Sequence, residues 1–202
     1  GKLEGFQSIS TNTSTNEYCK KQNTKNDPDN ICTHCYSWTM LKTFRKNMAP
    51  ALERNSILLN SKILHPDALP VINQAFFRFN SHGELALDKK KATINLINYI
   101  NIAIKNPHCN FALWTKRFDI IKPYFDKNKK PKNFILVYSN PKINHIFKKP
   151  PKHFDKTFNN VYENIEIKKQ NCTGQKCKDC LLCYKLNTTN TIVEKVKSYG
   201  KK

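Results

Sequence analysis

The feature that most constrains the fold of this 202-residue chain is its central alternation of short apolar runs with helix-periodic segments. "NQAFFRFN" (73–80) reads as a strand ended by "SHGE". "DKKKATINLINYINIAIKN" (88–106) reads as a helix, with Ile94, Ile97, Ile100 and Ile104 at helical spacing. "CNFALWTK" (109–116) reads as a buried strand, "RFDIIKPYF" as a short helix interrupted at Pro123, and "KNFILVYSN" (132–140) as another strand. Strands separated by helices predict parallel β-α units covered by helices. A full eight-stranded barrel takes about 250 residues, so the expectation is an α/β fold of the partial or open (β/α) barrel kind, ending in a cysteine-rich metal-binding segment.

The flanking segments read less sharply. Residues 6–31, polar and broken by "NDPDN", read as an extended loop. "YSWTMLKTFRKNM" from Tyr36 has helical spacing, with Trp38, Leu41 and Phe44 on one side, and Pro50 opens a second helix, "PALERNSILLN". The proline-lysine stretch 140–156 reads as a surface loop, 160–167 as a weaker strand and "TIVEKVKS" as a closing helix. Residues 1–168 are thus expected to form the α/β body, including an N-terminal cysteine loop. Residues 169–202 are expected to form the cysteine-rich segment and C-terminal helix, packed on the same domain.

Seven of the eight cysteines fall in two groups. Cys19 joins Cys32 and Cys35 of "ICTHCY"; Cys172, Cys177, Cys180 and Cys183 follow C-x4-C-x2-C-x2-C spacing. Cys109, heading an apolar strand, reads as a small buried hydrophobe. Disulfides fit poorly, because cysteines three positions apart are awkward to bridge and no secretory h-region is present. The C-x2-C-x2-C run resembles an iron–sulfur binding loop, and Gly174 suits backbone passing close to a metal. Four thiolates around structural zinc stay as the alternative. The N-terminal group offers three thiolates, to be completed by His34, by Cys109 or by a C-terminal cysteine, or left open for a ligand.

Charge bears on partners. The net charge is +20, and residues 121–202 hold 19 lysines against six acids. That excess would attract nucleic-acid phosphates, but only Arg45, Arg54, Arg78 and Arg117 supply the guanidinium that bidentate recognition prefers. Arg78, His82, Lys116 and Arg117 lie at predicted strand ends, where they are candidates to meet an anionic ligand or a nucleic-acid backbone. No apolar run of transmembrane length occurs, so no membrane association is expected and a reducing, cytoplasmic setting is the default. No catalytic serine arrangement, P-loop, H-E-x-x-H or dinucleotide fingerprint appears, and whether the chain is an enzyme stays open.

"ICTHCY" before a helix, then "FFRFNSHGEL", "FALWTKR", "NFILVYS" and a closing cysteine cluster resemble the phage- and mobile-element-associated gene-product-88-like family, over about residues 6–197. The layout is similar to a distant radical-SAM-type partial barrel. The resemblance implies a 4Fe–4S cluster on Cys19, Cys32 and Cys35, with S-adenosylmethionine at its open iron. Gly83 and Glu84 would contact that cofactor, Tyr36 would accompany the loop, and the cysteines at 172–183 would hold an auxiliary cluster. It also implies a setting in the cytoplasm of a bacterial host. The sequence departs from that pattern in the twelve residues between Cys19 and Cys32 and in its single Gly-Glu. Two other classes stay open beside it: a zinc-stapled basic nucleic-acid-binding protein and a protein-interaction module without catalysis.

Overall fold

A computed structural model describes residues 2–162 and 170–196. Six strands form one sheet: β1 (Ser8–Ile9), β2 (Phe76–Phe79), β3 (Asn110–Thr115), β4 (Phe134–Ile143), β5 (Lys156–Val161) and β6 (Thr191–Lys195). All neighbours are parallel and follow chain order, and the sheet is open, with β1 paired to β2 and β6 to β5 at its two edges. The helices are α1 (Glu17–Asn23), α2 (Tyr36–Lys42), α3 (Ala49–Ser61), α4 (Lys89–Lys105), α5 (Phe118–Phe125) and α6 (Cys177–Cys180). No described helix is long and apolar enough to cross a membrane.

The sequential order has a packing consequence. Crossovers that all step the same way and are right-handed place their helices on one face. Phe77, Phe79, Phe111, Leu113, Phe134 and Leu136 point to that face, where they pack with Leu96, Tyr99 and Ile102 of α4 and with Ile120 and Ile121 of α5. The opposite face must be covered by other means. Phe76, Ala112, Trp114, Ile135, Val137 and Phe158 are met there by Phe6 and by Cys177, Leu181, Cys183 and Tyr184 of the C-terminal segment.

Several boundaries differ from the sequence reading. Residues 6–31 contain β1 and α1 rather than a continuous loop, and the helix from Tyr36 stops at Lys42, leaving Phe44 exposed. The isoleucine stripe meets the core face of α4 at Ile100, which is buried, and drifts off it elsewhere. Ile104 is 60% exposed, while Ala92, Asn95, Leu96, Tyr99 and Ala103 are buried. Buried asparagines explain the offset: Asn98 Nδ2 donates to the Leu59 and Lys62 carbonyls (2.9 and 2.9 Å), and Asn98 Oδ1 accepts from Leu64 N (2.9 Å), stapling the α3 exit to α4. Replacing Asn98 by alanine orphans three buried backbone groups and is expected to cost about 2–3 kcal/mol in chemical denaturation.

β4 runs on to Ile143, into the expected loop, through a register shift between Ser139 and Ile143 around Pro141. The strand expected at 160–167 begins earlier, as β5 from Lys156 to Val161, and residues 163–169 of that expectation lie outside the described ones. "TIVEKVKS" is not a helix where described: Thr191–Lys195 is β6. Three successive β-branched residues suit a strand, and the free edge of β5 supplies the backbone partners that no local pattern reveals.

Candidate functional site

Parallel strands deliver their following loops to one edge, and there a cavity of about 600 Å³ opens. Both cysteine groups reach it: Cys19 of α1 with Cys32 and Cys35 of the turn before α2, and Cys172, Cys177 and Cys183 from the C-terminal segment. Gly83 and Glu84 after β2 and Lys116 after β3 complete the wall between them. All eight cysteines are free thiols.

The N-terminal thiols are positioned by polar side chains. "STNT" (10–13) after β1 is buried and stitched to "SHGE". Ser10 Oγ accepts from Ser81 N and His82 N (3.1 and 3.2 Å), and Thr13 Oγ1 accepts from Gly83 N (2.8 Å). Asn16 caps α1 by accepting from Cys19 N (3.1 Å) and donates to the Glu84 carbonyl (2.7 Å). The Cys32 loop is sewn to the bulged end of β4, Ile31 N donating to the Pro141 carbonyl and Ile143 N to the Asp29 carbonyl (both 2.8 Å). His34 Nε2 lies 3.1 Å from the Pro28 carbonyl and 3.2 Å from Tyr162 Oη, interactions that hold the ring between its own loop and the end of β5. Cys109 sits at the opposite end of β3, sealed in the core with its thiol pushed up to about 12 by burial, so it does not belong to this site.

Gly83 has φ +75, and a Cβ there would lie 2.1 Å from Thr11 Oγ1 and 2.6 Å from the Thr11 carbonyl oxygen. Only glycine allows this approach of the two loops. Glu84 is buried, accepting from Thr115 Oγ1 (2.6 Å), Leu85 N (2.8 Å) and Lys116 N (2.8 Å). Burial raises its pKa against the opposing pull of Lys116 and these donors. Burial works against the Lys116 ammonium too, but Cys32, Glu84, Cys35 and Cys19 outweigh it and raise the Lys116 pKa. Lys116 Nζ donates to Ser139 Oγ (3.0 Å).

The C-terminal thiols hang on β6 and on the chain's start. Cys172 N donates to the Val193 carbonyl (3.0 Å), and Cys177 N to the Lys2 carbonyl (2.8 Å). Lys2 Nζ reaches Cys172 Sγ (3.2 Å) and pairs with Glu194. Cys180 faces Gln175 Nε2 (3.3 Å) and is absent from the cavity wall. Gly174, at φ +105, has nothing within 4 Å of its Cβ position, so backbone conformation rather than close approach requires it. Burial raises the pKa of Cys19, Cys32, Cys172, Cys177 and Cys183. Among the described residues no three His, Cys, Asp or Glu side chains converge tightly enough for a single metal ion.

The four proposed cationic contacts part company. Arg78, His82 and Lys116 line the cavity. Arg117 is 3% exposed, its guanidinium spent on Asp119 (2.8 Å) and on the carbonyls of Leu85, Ala86 and Leu87, so it anchors the segment after Glu84 and does not face an anion. His82 Nδ1 lies 2.7 Å from Ser37 Oγ, which ties α2 to the end of β2. Burial, with Arg45 and Arg78 adding to it, pushes His82 from 6.5 to about 4, so near neutral pH it carries no charge for an anion. Between about pH 4 and 6.5 the unfolded chain then binds the extra proton, and stability rises with pH across that window. His82→Asn is expected to flatten this rise in thermal melts taken from pH 4 to 7; an unchanged slope would show that His82 is not its source.

Sequence reasoning missed Trp114, Phe158, Lys2 and Glu194, all on the cavity wall. The in-out alternation of β3 and β5 could have found the two aromatics; nothing local signals the other two. No curated protein and no solved structure matches the chain. The family model described as Gene product 88 matches residues 5–186, a span that holds β1 to β5 and both cysteine groups, and the chain belongs to the Gene product 88 family.

Proposed function

We propose that this is an iron–sulfur protein whose two cysteine groups serve one cavity. Cys19, Cys32 and Cys35 would hold a 4Fe–4S cluster with one iron open, and Cys172, Cys177, Cys180 and Cys183 a second cluster. The carrying observation is the convergence of both groups, with every thiol free, on a single cavity at the carboxyl edge of the sheet. The donor set fits: these are soft sulfur ligands, and Lys116 sets a cation beside three of them. Free thiols also suit the reducing cytoplasm of a bacterial host.

The chain order supports a radical-SAM-like partial (β/α) barrel. The Cys19–Cys32–Cys35 segment follows β1, Gly83 and Glu84 follow β2, and α3, α4 and α5 lie on one side of a parallel sheet. S-adenosylmethionine would then be the ligand at the open iron. Such a cluster, when bound, supplies one-electron chemistry. The chain's own residues hold the thiolates, bury them and offset their charge through Lys116. Because buried thiols must give up protons to bind metal, loading is expected to weaken as pH falls.

Protein purified without oxygen is expected to be brown, with broad absorption at about 400 nm and about four or eight irons per chain. A colourless protein with stoichiometric zinc would overturn this reading in favour of a zinc-stapled module. The exposed lysines at 127, 129, 132, 148 and 149 favour a second property, nucleic-acid binding away from the cavity. Its signature is an affinity that falls steeply with salt.

A further inference from the structure

Arg78 is unlike the other buried guanidinium of this protein. Arg117 is saturated by an aspartate and three carbonyls. Arg78, in the middle of β2 opposite Ser8 and Ala112, turns to the face covered by the C-terminal segment and lines the cavity. Its guanidinium carbon stacks 4.0 Å from the centre of the Trp114 ring. Its Nε is buried and has no hydrogen-bond partner, and no ion pair with a carboxylate forms among the described residues. Its ionisable neighbours are the hydroxyls of Tyr184 and Tyr36 and the thiols of Cys177 and Cys183. The Tyr184 hydroxyl is buried beside it and its interaction is with Arg78 itself.

A permanent cation that lines a cavity with no carboxylate beside it among the described residues calls for a counter-charge supplied from outside the chain. A guanidinium whose carbon lies over an indole keeps donor N–H groups for a planar or tetrahedral oxyanion. The rest of the cavity suits an organic body: Tyr36, Trp114 and Phe158 wall it, Lys116 adds a second cation, and about 600 Å³ is the size of a small-molecule site. A cleft of this size between two cysteine groups suits a small molecule.

We propose that this cavity binds a small organic oxyanion, a carboxylate or phosphate on a planar or apolar body, with Arg78 as its anchor. The inference goes beyond the iron–sulfur reading and stands without it, since it rests on the cavity and its unpaired guanidinium.

The test uses the fluorescence of Trp114 in full-length Trp38→Phe protein. Acetate, benzoate, inorganic phosphate and phenyl phosphate are titrated at constant ionic strength, and iron and zinc are measured in the same samples. The expected result is a saturable change, with benzoate or phenyl phosphate binding at least tenfold more tightly than acetate or inorganic phosphate. Which of the two wins identifies the head group. Arg78→Gln is expected to weaken that binding at least tenfold; should it fail to fold, Arg78→Lys carries the test with at least threefold weakening. Saturable binding that persists in metal-free protein supports the proposal even where the cluster reading fails. Absence of saturation with every probe overturns it. So does unchanged binding in the Arg78 variants, or loss of metal from them with binding intact, which would make Arg78 a counter-charge for the C-terminal thiolates.

Discussion

Anaerobically purified Cys32→Ala/Cys35→Ala protein is expected to retain one cluster's worth of iron, about four atoms per chain, where the parent holds about eight. Cys177→Ala/Cys183→Ala protein is expected to lose the complementary half. The two groups share a cavity but not their supports. Cys32 is fixed through Ile31 to the bulge of β4, whereas Cys177 is fixed through its amide to the Lys2 carbonyl and Cys172 through its amide to β6. Loss of one set of thiolates therefore leaves the scaffold of the other standing. The pairs differ in what else they do: Cys177 and Cys183 pack against Trp114, Val137 and Tyr184 over the open face of the sheet. Their truncation should also lower the melting temperature of metal-free protein, while truncation of Cys32 and Cys35 should leave it nearly unchanged. Iron and sulfide analysis, with electron paramagnetic resonance of reduced samples, reads the result. Loss of all iron from both variants would mean a single shared site instead of two.

Gly83→Ala is expected to be the most destabilising single methyl in the protein. The left-handed backbone at Gly83 alone costs an alanine about 1–2 kcal/mol. The new Cβ also meets the Thr11 hydroxyl and the Thr11 carbonyl carbon and oxygen, and backbone cannot be moved cheaply. The total is put at about 3–4 kcal/mol, a fall of roughly 10 °C in melting temperature for a chain of this size. Gly174→Ala is the control. It has φ +105 but open space around the Cβ position, so only the backbone strain applies, about 1–2 kcal/mol. Equal effects at the two glycines would show that the Thr11 contact yields easily.

The central strands and helices were legible because their apolar residues recur at the periods that burial demands, and alternation alone implied parallel pairing. The candidate site was legible wherever chemistry sits in residue type: six of the seven grouped cysteines, Gly83, Glu84, Arg78 and Lys116 all reach the cavity. Arg117 and His82 show the limit. Their sequence positions match those of Arg78 and Lys116, yet one is consumed by carbonyls and the other discharged by burial. The isoleucine stripe of α4 coincides with the inner face only at Ile100 for a related reason, since Asn98 on that face is held by hydrogen bonds to the α3 exit, distant in sequence.

By itself the sequence determined the identity and spacing of the thiols, the alternation that makes a parallel α/β sheet, and the family. Each is a property of residue type and local period. Only the tertiary structure decided that Thr191–Lys195 is a strand, that the C-terminal cysteines cover the face of the sheet the helices leave open, and that both groups meet in one cavity beside an unpaired guanidinium. Those outcomes depend on which edges and faces remain unsatisfied once the chain has folded, and no local pattern carries that information.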